Sequence, residues 1–334
     1  ILVAMGVGAL FIVAIGENPI DAYAALFRGA FDGELRLGTT LAGFTPLLLT
    51  SIAFAVAAKA GAFNVGVEGE VFLGGITAAY IGINWTFLPK PALYVACFVG
   101  AMVVAAAWAL IPAVLRAYYN VNEVCTTILM NTVALYITSY LVSGPMSAGT
   151  ANAQSLPVTV RLYQFMKPSS VNVGIFIAAI TVIVIIFMLQ KSSWGYKIRT
   201  VGLNPTHADY VGIDSKKVFV GAMMLSGMLG GMAGCIEVLG VHGYFLNNFA
   251  TGLGSNGMLA ALIVKNNMVS TPFMAFFLAV LKSGAMGMQQ STGVPKSLVD
   301  TITAVFIIIA TMETAFQFTK KRKKKTEEKK EDKA

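Results

Sequence analysis

KSSWGYKIRTVGLNPTHADYVGIDSKK, residues 191–217, is the longest strongly polar interruption of an otherwise apolar chain, and it separates two blocks of membrane-length segments. It carries Lys191, Lys197, Arg199, Lys216 and Lys217, an excess of positive charge that places it on the cytoplasmic side. Within it, Asn204 followed by Pro205 has the chemistry of an N-cap and first helical residue, and Gly212 that of the residue just past a helix end. A short helix is therefore predicted over 205–211, between two membrane spans. Such a helix either closes a turn or presents a surface to something in the cytoplasm.

The rest of the chain supports that setting. Hydrophobic residues make up 56% and charged residues 12% of the sequence, and mean hydropathy is +0.72, too apolar for a water-facing surface. A span needs roughly 20 apolar residues. Candidates lie at 1–16, 38–58, 62–83, 91–115, 123–143, 173–190, 218–238, 254–268, 271–289 and 297–318. The expectation is an all-α, polytopic membrane protein of about ten transmembrane helices. The first candidate has no basic region before it and no small-residue cleavage site after it, so it reads as a span missing its start rather than a signal peptide.

The domain reading is a transmembrane domain over 1–319, containing the loop 191–217, and a basic tail over 320–334 that is disordered by composition. The tail holds nine basic and four acidic residues and accounts for most of the net charge of +8. It suits the anionic face of a lipid bilayer better than nucleic acid and fixes the C-terminus in the cytoplasm. An even number of spans then puts the N-terminus there too, with 17 basic residues on the cytoplasmic side against six outside.

Three segments carry polar chemistry inside apolar surroundings. GAFNVGVEGEVFLGG, residues 61–75, contains five glycines with Asn64, Glu68 and Glu70. An acidic side chain at mid-bilayer costs on the order of 2.5–3.5 kcal/mol, so it faces protein, water or a partner. The glycines allow a helix break, tolerable only where protein or a water-filled cavity receives the freed backbone groups. This places the segment against a translocation path, unless Glu68 only caps a local turn. VNEVCTTILMN, residues 121–131, opens a span with Asn122 and Glu123, a carboxylate suited to a helix N-terminus. Asn131 is its pathway candidate, with interhelical hydrogen bonding as the rival role. In LSGMLGGMAGCIEVLG, residues 225–240, Gly227/Gly231 and Gly230/Gly234 have small-xxx-small spacing for close helix contact, while Glu237 either lines a pathway or sits in interfacial water. Phe63 and Phe72 are candidates for stacking on a ring-shaped substrate.

Outside the spans, 18–36 reads as an amphipathic helix resting on the bilayer, with Ala22, Ala25, Leu26 and Gly29 on one face. The loop 143–171, rich in Ser, Gly, Pro and Asn, is either a docking surface or a solvated connector. Cys97, Cys125 and Cys235 lie in apolar segments without metal or redox spacing and read as buried small residues. His207 and His242 are far apart, so no metal site is expected. GVPKS at 293–297 lacks the glycine spacing and Gly-Lys pair of a phosphate loop, and no catalytic triad is evident.

These motifs resemble a known family. FNVGVEGE at 63–70 is similar to the FNIGVEGQ motif of ABC-importer permeases of the branched-chain amino acid, ribose and nucleoside superfamily. VNEVCTTILMN resembles its NEV-x-x-T-I-M-L-N segment and SGMLGGMAGCIEVLGV its SGALAGLAG-type span. The stretch from Gly284 through Gly293, Val294 and Pro295 to Leu298 resembles its closing spans, and the nucleoside branch is nearest. Departures include Glu70 where Gln is usual, Ser255 and Asn256 where aromatic and acidic residues are usual, and LIVKNN at 262–267. They bear on substrate identity and on which subunit of a permease pair this is.

The resemblance implies a transport subunit in a bacterial cell membrane, without its own ATPase site or any bound cofactor, ATP and Mg being held by a cytoplasmic ABC ATPase. It implies a second permease subunit, with a heterodimer favoured over a homodimer, and an external substrate-binding lipoprotein. The helix after Asn204 would be the coupling helix, with Tyr196, Arg199, Asn204, Pro205, His207, Asp209 and Gly212 contacting the ATPase. Substrate would pass by alternating access through a cavity lined by Asn64, Glu68 and Asn131. Ribose-type sugars or branched-chain amino acids are alternative cargoes. An ion-coupled secondary transporter working through Glu68, Glu70 or Glu237, and a non-transporting scaffold, are the readings of different class.

Overall fold

The computed structural model describes residues 2–14, 16–293, 297, 300, 301 and 304. Among these the regular elements are helices, joined by turns and three isolated β-bridges. Most of the expected span 297–318, the tail 320–334 and the motif residues Val294, Pro295 and Leu298 lie outside the described residues. The chain divides into two compact units, residues 1–31 with 281–334, and residues 32–280.

In the smaller unit, α1 (Leu2–Ala14) leads into α2 (Pro19–Phe31). Asn18 opens α2 by accepting the Ile20 amide at 3.0 Å, and Asp21 and Arg28 sit at the ends that suit their charges. Ala22 and Leu26 pack with Ile12, Ala285 and Met288, the last two on α12 (Thr271–Thr292), whose residues from Leu281 onward belong to this unit. Gly29 has no room for a side chain, since a Cβ there would lie 2.7 Å from Gly287 Cα. The small face expected to rest on lipid is therefore covered by protein. The expected helix 18–36 also stops early, because Gly33 adopts φ +79° and starts a new helix.

In the larger unit, α3 (Gly33–Lys59) is buried almost continuously from Thr45 to Ala57, as a helix apolar on every side requires. Against it lie α4 (Val67–Asn84), α7 (Gly174–Lys191), α10 (Ser215–Ile236) with a π turn at Glu237–His242, and α11 (Leu253–Ile263), while α5 (Lys90–Tyr119) packs on α4 and α10 and α6 (Glu123–Ser143) on α4 and α5. Two short helices, α8 (Ser193–Leu203) and α9 (Pro205–Tyr210), join α7 to α10. The small-xxx-small spacing of α10 serves two neighbours. Gly227 and Gly231 meet Ala105, Ala109 and Ala101 of α5, whereas Gly230 and Gly234 meet Glu70 and Val71 of α4. A Cβ at Gly227 would sit 2.7 Å from the Ala105 carbonyl. Glycine here sets the distance between helices.

Among the described residues, six helices are long and apolar enough to cross a membrane: Gly33–Lys59, Lys90–Tyr119, Glu123–Ser143, Gly174–Lys191, Ser215–His242 and Thr271–Thr292. They coincide with six of the ten expected spans. The expected span 62–83 begins as a helix only at Val67, because the Gly- and Asn-rich residues before it form a turn. The expected span 254–268 is an 11-residue helix, about 16 Å long and too short to cross alone. Cys97 and Cys235 are buried as expected, but Cys125 is exposed because it lies in the first turn of α6, whose surface is thinly covered.

The loop 144–173 is a folded cap rather than a solvated connector. Its backbone bonds to the stretch after α10 through Ser155 N to Phe245 O, Val158 N to Gly243 O and Leu162 N to Leu239 O, each 2.9 Å. Val158, Val160 and Val171 of the loop are themselves buried.

Candidate functional site

The break before α4 is built from its own residues. Gly61 takes φ +80°, a conformation open to glycine, and turns the chain out of α3. Asn64 Oδ1 then accepts the Gly66 amide at 2.9 Å, a local turn that competes with helix. Asn64 Nδ2 donates to Glu70 Oε1 and to Ser226 Oγ of α10, both at 2.9 Å. With only 1% of its surface exposed, Asn64 spends its whole side chain on protein. Glu70 Oε2 is buried without a hydrogen-bond partner among the described residues.

Asn131 of α6 closes the break from the other side. Its Oδ1 accepts the Gly69 amide at 2.8 Å and its Nδ2 donates to the Val65 carbonyl at 2.9 Å. Both are groups that an intact helix would have satisfied internally. Glu68 reaches the start of α11, accepting the Gly252 amide at 3.0 Å and the Ser255 hydroxyl at 3.3 Å. A carboxylate against the unpaired amides of a helix start is electrostatically favoured. The first turn of α4 thus holds α10, α6 and α11 together through three polar side chains.

The other pathway candidates are separate from this group. Phe63 meets Phe54 of α3 edge-on at 5.0 Å, and Phe72 meets Phe249 at 5.7 Å. Glu237 is buried in the π turn after α10, 3.8 Å from His242 Nε2, and His242 in turn faces Phe249 at 5.8 Å. The structure brings Asn64, Glu68 and Asn131 together and places Phe72 and Glu237 with a second, aromatic group around Phe249. Ser226, Gly252 and Phe249 were not found in the sequence. Nothing local marks them, since each acts through a neighbour remote in the chain.

The 191–217 segment follows its sequence signals closely. Ser192 caps α8 by accepting the Gly195 amide at 3.1 Å, and Arg199 donates to the Leu189 carbonyl. Asn204 caps α9 through the His207 amide at 3.0 Å, Pro205 is its first residue and Gly212 follows it at φ +80°. Asp209 accepts from the Ser215 amide and hydroxyl, both 2.9 Å. Asp214 caps α10 by accepting the Lys217 amide at 3.0 Å, and that amide, together with the Lys217 ammonium, holds its carboxyl below the usual carboxylate range. Of the seven expected contact residues, Arg199, Asn204, Pro205, Asp209 and Gly212 are thus occupied in building the turn, while Tyr196 and His207 are exposed. The most prominent outward groups are Leu203 and Tyr210, 88% and 86% exposed, with Val211 beside them. The end of α8 rests on the turn after α3, where Gly61 and Gly202 meet with no side chain between them.

Comparison with known proteins places this arrangement. Residues 36–311 match the family described as branched-chain amino acid transport system / permease component. The guanosine ABC transporter permease protein NupP of Bacillus subtilis is 32% identical over 97% of this chain and 95% of its own length. The nucleoside permease NupB of Lactococcus lactis is 31% identical over 90% of this chain and 85% of its own, and the glucose permease TsgB13 of Haloferax volcanii 32% over 92% and 84%. No solved structure matches the chain. A chain with this helical fold, these apolar helices and a family match over most of its length is a multi-pass membrane protein that belongs to the branched-chain amino acid transport system permease family of ABC importers.

Proposed function

We propose that this permease imports nucleosides, receiving them from an external binding lipoprotein and passing them inward by alternating access. The observation that carries the reading is α9, a short helix whose caps are all satisfied, with Tyr210 at its end and Leu203 at the end of α8 just before it both left exposed. A capped polar turn needs no such apolar display, whereas a helix that receives a push from an ATPase does. On this reading α9 is the coupling helix, and ATP and Mg are bound by a cytoplasmic ABC ATPase rather than by this chain, which carries no cofactor. Similarity to permeases named for guanosine and nucleosides supports the cargo.

The remaining architecture follows as part of the same proposal. The permease domain extends over 1–319 with about ten spans, both termini are cytoplasmic, and 320–334 is a basic tail. The functional unit pairs this chain with a second permease, preferably a different one. Asn64, Glu68 and Asn131 shape the path at the α4 break, with Phe63 next to Asn64 and Phe72 and Glu237 farther from it.

The test is uptake into vesicles holding the reconstituted complex. Nucleoside uptake that needs internal or external ATP on the ATPase side, and that is competed by nucleosides but not by pentoses or branched-chain amino acids, is the expected result. Competition by hexoses instead would establish the second reading, a sugar permease, which similarity to the glucose permease favours. Uptake without ATP that an uncoupler abolishes would overturn both.

A further inference from the structure

Beside α9 lies a cavity of about 340 Å³, bounded by the turn after α3 at Ala60 and Gly61, the end of α5 at Arg116, Ala117 and Asn120, and the start of α10 at Ser215 and Lys216. Its two charged lining residues are both cations. They differ in what already neutralises them. Arg116 Nε lies 3.1 Å from the Glu123 carboxylate and Arg116 also donates to Asn120 Oδ1 at 2.8 Å, so its charge is balanced within the protein. Lys216 has no carboxylate partner among the described residues, and its ammonium lies over the Tyr118 ring, 5.2 Å from the centroid.

The surroundings add to this imbalance. Residues 191–217 contain five basic and two acidic side chains. Both acids are engaged, Asp209 by Ser215 and Asp214 by Lys217 at 2.9 Å. The rim next to Leu203 and Tyr210 is therefore positive, with an unbalanced ammonium at the cavity. An apolar ridge beside a positive cavity is the pattern of an interface in which the ridge supplies contact area and the charge supplies register.

We propose that this cavity receives an acidic side chain of the ATPase subunit, with Lys216 as its counter-charge, so that the ATPase grips the permease at two points, the α9 ridge and the Lys216 cavity. The inference rests on α9 being the coupling helix, and it adds a partner of stated charge at a second place. A carboxylate there would meet Lys216 directly and the Arg116 guanidinium close by. The Tyr118 ring holds the ammonium in the meantime, as cation–π contact does at modest strength.

The experiment measures ATPase association with the full-length permease in detergent, for the wild type, K216Q, K216E, K216R and the double variant L203S/Y210S. Each is checked first for an unchanged melting midpoint and elution volume, and K216Q, which adds no charge, serves where K216E fails that check. Loss of one interfacial ion pair should weaken association about tenfold for K216Q and further for K216E, with K216R close to wild type. The weakening should shrink as salt rises from about 50 mM to about 300 mM, because screening removes what the pair contributed. If L203S/Y210S loses the ATPase while K216Q and K216E bind as the wild type does, the cavity proposal falls and α9 remains the coupling helix. If neither set changes binding, the coupling reading falls as well. Reduced retention of anionic lipid with unchanged ATPase binding would assign the cavity to lipid headgroups and overturn the proposal.

Discussion

Asn64 and Ser226, separated by most of the larger unit's sequence, meet through a 2.9 Å hydrogen bond that ties the turn before α4 to α10. Because Asn64 Nδ2 also donates to Glu70, removing Ser226 strands one amide hydrogen in a buried site. S226A should cost about 1–2 kcal/mol, and N64A, which also loses the Gly66 turn, should cost more. Thermal unfolding in detergent measures the order, and equal midpoints for the two variants would contradict it.

Asn131 serves both the donor and the acceptor of one backbone bond that an unbroken helix would make. N131A leaves the Gly69 amide and Val65 carbonyl without that partner and should destabilise by about 1–3 kcal/mol. N131D keeps an acceptor for Gly69 but no donor for Val65, and sets a carboxylate near a carbonyl oxygen. It should be no better than N131A. An unaltered melting midpoint in both would show that α6 does not hold the break.

Gly234 and Gly43 offer a contrast within two buried-core helices. A Cβ at Gly234 would strike the Val71 carbonyl, whereas one at Gly43 meets nothing within 4 Å. G234A should push α10 off α4 and destabilise by about 1–3 kcal/mol. G43A should be neutral or stabilise by up to about 1 kcal/mol through the unfolded chain.

Asp214 links stability to pH. Its carboxyl titrates below the ordinary range because the Lys217 amide and ammonium favour the charged form. The contribution is therefore complete above about pH 4, the unfolded value, and is lost as pH falls through the lower folded value. The gap in melting midpoint between the wild type and D214A should be present near neutral pH and close below about pH 4. A gap independent of pH would show that the cap works without its charge.

Much of the fold was readable because it rests on local chemistry. The Asn204–Pro205 start and Gly212 end gave α9 to within a residue, and the glycines of 61–75 allowed a helix break, although the span was expected from residue 62 and the helix starts at Val67. What escaped depends on contacts between remote residues. Glu68 finds its partner at Gly252, and α11 is held short by a loop whose backbone pairs with 153–155. Neither has a sequence period. The residues proposed for coupling show the same division: Asn204 and Asp209 stand out by residue type because they cap and close turns, while exposed Leu203 and Tyr210 look ordinary until their helices orient them.

The bare contact between Gly61 and Gly202 has a mechanical meaning. Side chains can absorb a displacement by changing rotamer, but two backbones touching directly have no such compliance. A Cβ at Gly202 would strike the Lys59 carbonyl, so the joint is already closed. Gly202 stands two residues before the α9 cap, and Gly61 three residues before Asn64, about 10 Å of chain at full stretch. On the proposed coupling role, movement of α9 would arrive at the α4 break with almost no slack. Replacing Gly202 with a larger residue would pry the two apart and, on that proposal, leave the ATPase bound yet its stroke spent before it reaches Asn64.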